Sequence, residues 1–260
     1  MLVLGKLVRL GKAAIYIEVV GGVPQEFVST ILSVLEEAYT LFDEVPDLVE
    51  VYIYEDSNRL LQSLYRAAIE LGVTAIGAYP VSHDAWFGWP RIHIDYSACR
   101  DLDMEVLKAL LIHEATHTVL HGNIQSYTVT LARVPQEFRK PEMIYLASVA
   151  VKDAEVFMYL ARKGLKRYAE AYLRFVEPEI RGVRCKNIEE VLELAKLLTP
   201  CTVIRCGENI VNEECREIGK EVVEALRKAV NEGTELSEKL AMLLQQLSKV
   251  MATDRQVQQE

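Results

Sequence analysis

Five residues, His113-Glu114-Ala115-Thr116-His117, constrain this chain more than any other stretch of it. Two histidines four positions apart face the same way when the backbone is helical, because a helix stacks residues i and i+4 one turn apart. The flanks agree with a helix: Leu110-Leu111-Ile112 run directly into His113, and Asp101 or Asp103 stands where a capping carboxylate would begin it. Gly122 follows as a natural stop. The histidines therefore emerge from an apolar helix, not from a solvated loop. Polar groups in such a place cost stability unless something engages them.

A single metal ion is what the spacing suits. Two imidazoles one turn apart reach the same zinc, and Glu114, about a third of a turn round, can stand beside a metal-bound water without displacing a ligand. The carboxylate can take that water's proton as it attacks a carbonyl, since zinc brings its pKa toward about 7. The expectation is one Zn2+ ion on His113 and His117, with Glu114 as general base. A catalytic zinc takes three protein ligands plus water, so another is needed. On the next helix, expected over Glu142 to Arg162, Asp153 falls at ~100° per residue near the stripe of Leu146, Val149, Phe157 and Leu160. A carboxylate on an apolar face needs a partner, and the zinc would serve. Glu155 falls nearer the polar side, with Ser148, Tyr159 and Arg162. Glu142 and His121 stay open as well. His121 lies eight residues from His113, about 12 Å along a straight helix, and would need a break in it to reach the ion.

Around this helix the chain divides into a mixed first half and a helical second half, an α+β organisation. Ile15, Ile17 and Val19 alternate within Leu7–Val20, a strand closed by Gly21-Gly22. Leu48–Tyr54 is a second strand. Arg91–Tyr96 is a third, half-exposed, because Ile92 and Ile94 alternate with Arg91, His93 and Asp95. Helical spacing covers Pro24–Phe42, and Ser57 can cap a helix through Leu71 that Gly72 ends. Thr74–Pro90 reads as an irregular loop, its Tyr79, Trp86, Phe87 and Trp89 either packing it or walling a substrate. Later helices fit Leu165–Phe175, Asn187–Leu198, Glu213–Asn231 and Glu235–Met251. The expected divisions are 1–164 as a catalytic part, 165–252 as a helical region and 253–260 as a flexible tail.

Composition narrows the partners. A net charge of −9 over 260 residues argues against a nucleic-acid binder, which needs a basic face. Lys6, Arg9, Lys12 and Glu18 interrupt the apolar start, so it is neither a membrane span nor a secretory signal, and a cytoplasmic location is expected. Abundant Glu hints at a heat-adapted source. Cys185, Cys201, Cys206 and Cys215 lack the paired knuckles of a structural zinc site. Two disulfides or four reduced thiols both fit, the former acceptable in hyperthermophiles. His83 and His93 have no partner spacing and read as ordinary surface or strand residues. Tyr127 and Tyr145 are candidate donors to a developing oxyanion.

His113–His117, with Arg91-Ile-His-Ile-Asp-Tyr96 before it, resembles the zincin superfamily of metallopeptidases, from Leu7 to about Gly164. In that superfamily strands and helices lead to a strand at the cleft edge, followed by the helix with the two histidines. The resemblance implies a zincin-like first half with a small twisted sheet and an active-site helix. It also implies peptide-bond hydrolysis on a peptide or protein substrate, with His113 and His117 as zinc ligands and Glu114 as base. Arg91–Tyr96 would pair with the extended substrate. His121, and Ala150-Val-Lys-Asp153 with its Asp on the following helix, are similar to features of short zincin-like domains. Leu120 and Asn123 stand where the metzincin pattern has Gly and His, so that branch does not match. Gln136, Glu137 and Glu142 lie in the range of the thermolysin-like glutamate. The alternative is a zincin-like domain that keeps its metal as a binding or regulatory module.

Overall fold

The structure is a computed structural model that describes residues 4–10, 12–73, 79–207 and 209–257, without the side chains of 4 and 253–257. The chain is a mixture of helix and strand, divided into two compact units, Met1–Tyr127 and Thr128–Glu260.

In the first unit, β1 (Leu4–Leu10) and β2 (Ala13–Val20) precede α1 (Gln25–Thr40) and β3 (Leu48–Tyr54). Then come α2 (Ser57–Leu71), β4 (Val81–Asp84), β5 (Arg91–Asp95), the short α3 (Tyr96–Cys99) and α4 (Met104–Leu120). The sheet runs β1-β2-β3-β5-β4, with β2, β3 and β5 parallel and the outer strands β1 and β4 antiparallel to their neighbours. Ala13, Ile15 and Ile17 of β2 and Val49, Val51 and Ile53 of β3 are buried, as alternation along a covered sheet requires. From α1, Val28, Ile31, Leu35 and Ala38 are buried at helical spacing.

Three expectations change here. The segment read as one strand, Leu7–Val20, is a hairpin, because β1 folds back on β2 with Leu10 opposite Ala13. The loop expected over Thr74–Pro90 contributes β4, while Thr74–Ala78 lie outside the described residues. Strand β5 is buried at all five positions rather than half-exposed, and it lies between β3 and β4 rather than at the edge. Its polar residues are matched inside the protein, so period-two polarity does not mark a wet face. The edge next to β5 belongs to β4.

Helix α2 starts from Asp56, not Ser57: the Asp56 carboxylate accepts from the Arg59 amide at 3.0 Å. It ends at Gly72, whose φ of 67° suits a residue without a side chain. Helix α4 is capped by Asp103, which accepts from the Glu105 amide at 3.0 Å. A Cβ at Gly122 would come within 2.2 Å of the Thr118 carbonyl oxygen, so only glycine allows the chain to leave α4 there.

The second unit is helical among the described residues: α5 (Pro141–Arg162), α6 (Lys166–Gly182), α7 (Ile188–Leu197), α8 (Arg216–Glu232) and α9 (Leu236–Val257). Helix α5 packs on each of the other four. For that reason it belongs with the helices after it, and the boundary falls at Tyr127 rather than the expected 164. Helix α9 continues to Val257, into the segment expected as a flexible tail; 258–260 lie outside the described residues. Disulfides join Cys185 to Cys215 and Cys201 to Cys206, and Cys99 is a buried free thiol. Among the described residues no helix is long and apolar enough to cross a membrane.

Candidate metal centre

Helix α4 is buried on nearly every side, from Val106 to Thr118 with only Lys108 half-exposed. Helix α1 packs against it, and the Tyr39 hydroxyl meets Thr118 Oγ1 at 2.9 Å. Thr116 and Thr118 return their hydroxyls to the carbonyls of Ile112 and Ala115, both at 2.7 Å. The helix is thus a fixed support for side chains that would otherwise be costly to bury. His113, Glu114 and His117 are 1 %, 8 % and 3 % exposed. Water competes little for them.

Their geometry is convergent. His113 Nε2 and His117 Nε2 lie 3.0 Å apart. Zinc at about 2.05 Å from each nitrogen in a tetrahedral site would place the pair about 3.3 Å apart, so the two rings fit one ion with little movement. The other nitrogen of His117, Nδ1, meets His121 Nδ1 at 2.9 Å. A ligand ring is normally held by a partner on its second nitrogen, and His121 fills that place for His117. His121 sits just past the end of α4 and is 6 % exposed. It orients a ring one turn below it, a role its distance from His113 did not suggest.

Two residues outside the motif complete the arrangement. His83, on the edge strand β4, stacks on His117 with centroids 4.3 Å apart and planes 15° from parallel. Its Nδ1 lies 3.2 Å from Glu114 Oε2, and its Nε2 lies 2.6 Å from the Tyr127 hydroxyl. Burial first, then the charges of Asp84 and Glu114, push the Tyr127 phenol well above its ordinary range. Tyr127 therefore keeps its proton, and when that proton lies on the His83 contact Nε2 is the acceptor. In that arrangement the His83 proton sits on Nδ1, directed at Glu114. His83 was expected to be an ordinary residue; instead it contacts the proposed base and one proposed ligand.

His93 has a different setting. Asp84 accepts from Arg91 at 2.8 and 2.9 Å and lies 2.8 Å from His93 Nε2, while His93 Nδ1 meets the Tyr54 hydroxyl at 3.2 Å. Burial acts to raise the Asp84 pKa, but the His93 hydrogen bond and the His93 and Arg91 charges outweigh it and hold the carboxyl below its usual range. The aromatic loop is mostly packing. Trp86 rests on Tyr54, Leu60 and Leu64, and Arg91 lies over the Phe87 ring at 4.3 Å.

The candidates for a third ligand separate by environment. Glu142 is exposed in the first turn of α5, and Glu155 is ion-paired with Lys239. His121 holds His117. Asp153 is a carboxylate on α5 only 7 % exposed. A further grouping lies within the first unit: His83, Glu114 and His117 offer ligand atoms all within 4.8 Å of one another. Comparison with protein-family models, with curated proteins and with solved structures finds no match for the chain.

Proposed function

We propose that this chain is a zinc-dependent peptidase of the zincin type, with His113, His117 and Asp153 as ligands and Glu114 as general base. The observation that carries the reading is the approach of His113 Nε2 and His117 Nε2 to 3.0 Å on a buried helix that also bears Glu114. The exposure of Glu142 and the Lys239 partner of Glu155 favour Asp153 as the third ligand. Bound zinc would polarise the scissile carbonyl and acidify the attacking water. Glu114 accepts the proton of that water as its oxygen adds to the carbonyl carbon, then delivers it to the departing amine as the C–N bond breaks. His83 holds the Glu114 carboxylate in position through its Nδ1–H, and Tyr127 fixes the His83 tautomer. Strand β4, at the sheet edge, takes over from Arg91–Tyr96 the role of aligning an extended substrate by backbone pairing.

Glu114→Gln tests the assignment. The variant should keep about one zinc per chain while cleavage of a responsive peptide falls by about 10²- to 10⁴-fold. Cleavage at the wild-type rate would remove Glu114 from the mechanism. A second reading rests on the grouping of His83, Glu114 and His117, in which Glu114 is itself a ligand and the domain keeps a metal for binding or regulation. In that case Glu114→Gln loses metal, and the unaltered protein cleaves no peptide.

A further inference from the structure

The second unit contains a cleft of about 430 Å³ between residues 198 and 227. That is within the ~300–1,000 Å³ typical of small-molecule sites. The Cys201–Cys206 bridge closes the short loop on one side, and the first three turns of α8 form the other. Leu198, Ile204, Ile210, Val211 and Val223 supply apolar walls.

The polar lining is strongly one-sided. Among the described lining residues Arg205, Arg216, Lys220 and Arg227 stand against one acid, Glu224, with Lys220 also paired to Glu217 at 2.9 Å, in a chain whose net charge is −9. Glu224 is already taken by Arg227 at 2.5 Å, and Arg227 also donates to the carbonyls of Thr202 and Cys201, both at 2.9 Å. Arg227 is therefore part of the frame. Arg216 is not: its Nε is buried and has no hydrogen-bond partner among the described residues. A buried guanidinium nitrogen without an acceptor is costly, and an anion in the cleft would supply one. Arg216 also opens α8, where the helix dipole favours negative charge. Gly219, one turn on, leaves space: an added Cβ would meet Val211 and Leu198 at 3.5 and 3.6 Å, ordinary contact distances.

We propose that this cleft binds a small amphipathic anion, a carboxylate or phosphate head held by Arg216 with an apolar body against Leu198, Ile210 and Val211. Arg205 and Lys220 draw the head in from the more exposed side. The site lies within the helical unit and does not depend on the zinc reading.

Calorimetric titration of the full chain tests it, with octanoate, octyl phosphate, 1-octanol, acetate and inorganic phosphate as probes. At least one octyl anion should bind with a Kd below about 1 mM, and 1-octanol, acetate and phosphate at least about tenfold more weakly, because head and body act together. The tighter of the two octyl anions identifies the head group. Arg216→Met should weaken that anion about tenfold, and Gly219→Leu should exclude it by filling the cavity. If Gly219→Leu does not fold, Gly219→Ala, whose methyl fits, must still weaken binding. The proposal fails if no octyl anion binds below about 1 mM, if 1-octanol binds as well as the anions, or if Arg216→Met binds like the unaltered protein.

Discussion

Two buried polar clusters stand side by side in the first unit, one around Asp84 and one around Glu114, and they are built differently. In the first, one carboxylate meets a guanidinium and an imidazole, and the imidazole's other nitrogen meets a tyrosine hydroxyl. Donors and acceptors alternate, so the network is complete within the protein. In the second, nitrogen approaches nitrogen twice, His113 to His117 at 3.0 Å and His117 to His121 at 2.9 Å. Each such pair shares one proton or turns its lone pairs to one cation. Burial does not separate the clusters, since His93 is 2 % exposed and His113 is 1 % exposed. Convergence of like groups does. A closed network reads as structure; a convergent one reads as a place for a ligand.

The largest effect expected from this contrast is on metal content. His113→Ala and His117→Ala should each reduce bound zinc from about one per chain to almost none and abolish hydrolysis, whereas His93→Ala should keep its zinc. Elemental analysis of dialysed protein reads the result. Zinc lost from His93→Ala as readily as from His117→Ala would erase the distinction between the clusters.

Next in size is stability, and there the order reverses. Asp84→Ala leaves Arg91 buried without its carboxylate, a change that typically costs about 3–5 kcal/mol, and urea unfolding should show it while zinc content stays the same. Because the folded-state Asp84 pKa is depressed, its contribution is fully present above the unfolded carboxylate value of about 3.9 and is lost as pH falls through the folded value. The stability gap between the unaltered protein and Asp84→Asn should therefore narrow below about pH 4. A gap that widens in acid would mean the carboxylate is not what the network stabilises.

The sequence exposed local features and hid the tertiary ones. Helix α4, its Asp103 cap and its Gly122 exit are readable because caps, apolar runs and glycine act within a few residues. Strand β4 has four residues, too few for a period, and exists because β5 pairs with it. The interior place of β5 was invisible for the same reason: its polar positions look solvated until Asp84 and Tyr54 are brought to them. His83 and Tyr127 lie 31 and 13 residues from Glu114 in sequence, and no spacing rule links them. His121 did carry a signal. It is one turn beyond His117, the same step that separates His117 from His113, and measuring its distance from His113 alone conceals that role.

The smallest expected effect belongs to Tyr127, and it discriminates most finely between the two readings of the Glu114 cluster. Its hydroxyl lies 2.6 Å from His83 Nε2, and its raised pKa keeps a proton there to donate. When it donates to Nε2, His83 presents Nδ1–H to Glu114, at 3.2 Å. Tyr127→Phe removes the donor and lets His83 take the other tautomer part of the time, whereupon Nδ1 no longer donates to the carboxylate. If His83 positions the base, kcat should fall by several-fold to about tenfold, with KM and zinc content unchanged, since only the orientation of Glu114 is disturbed. His83→Ala should then lower kcat further, still with zinc bound. If His83 is instead a metal ligand beside Glu114 and His117, His83→Ala should release the zinc, and Tyr127→Phe should weaken metal affinity by about 10- to 100-fold through loss of an outer partner. Parallel metal titration and steady-state kinetics on the two variants separate these outcomes, because the first reading moves kcat alone and the second moves metal affinity first.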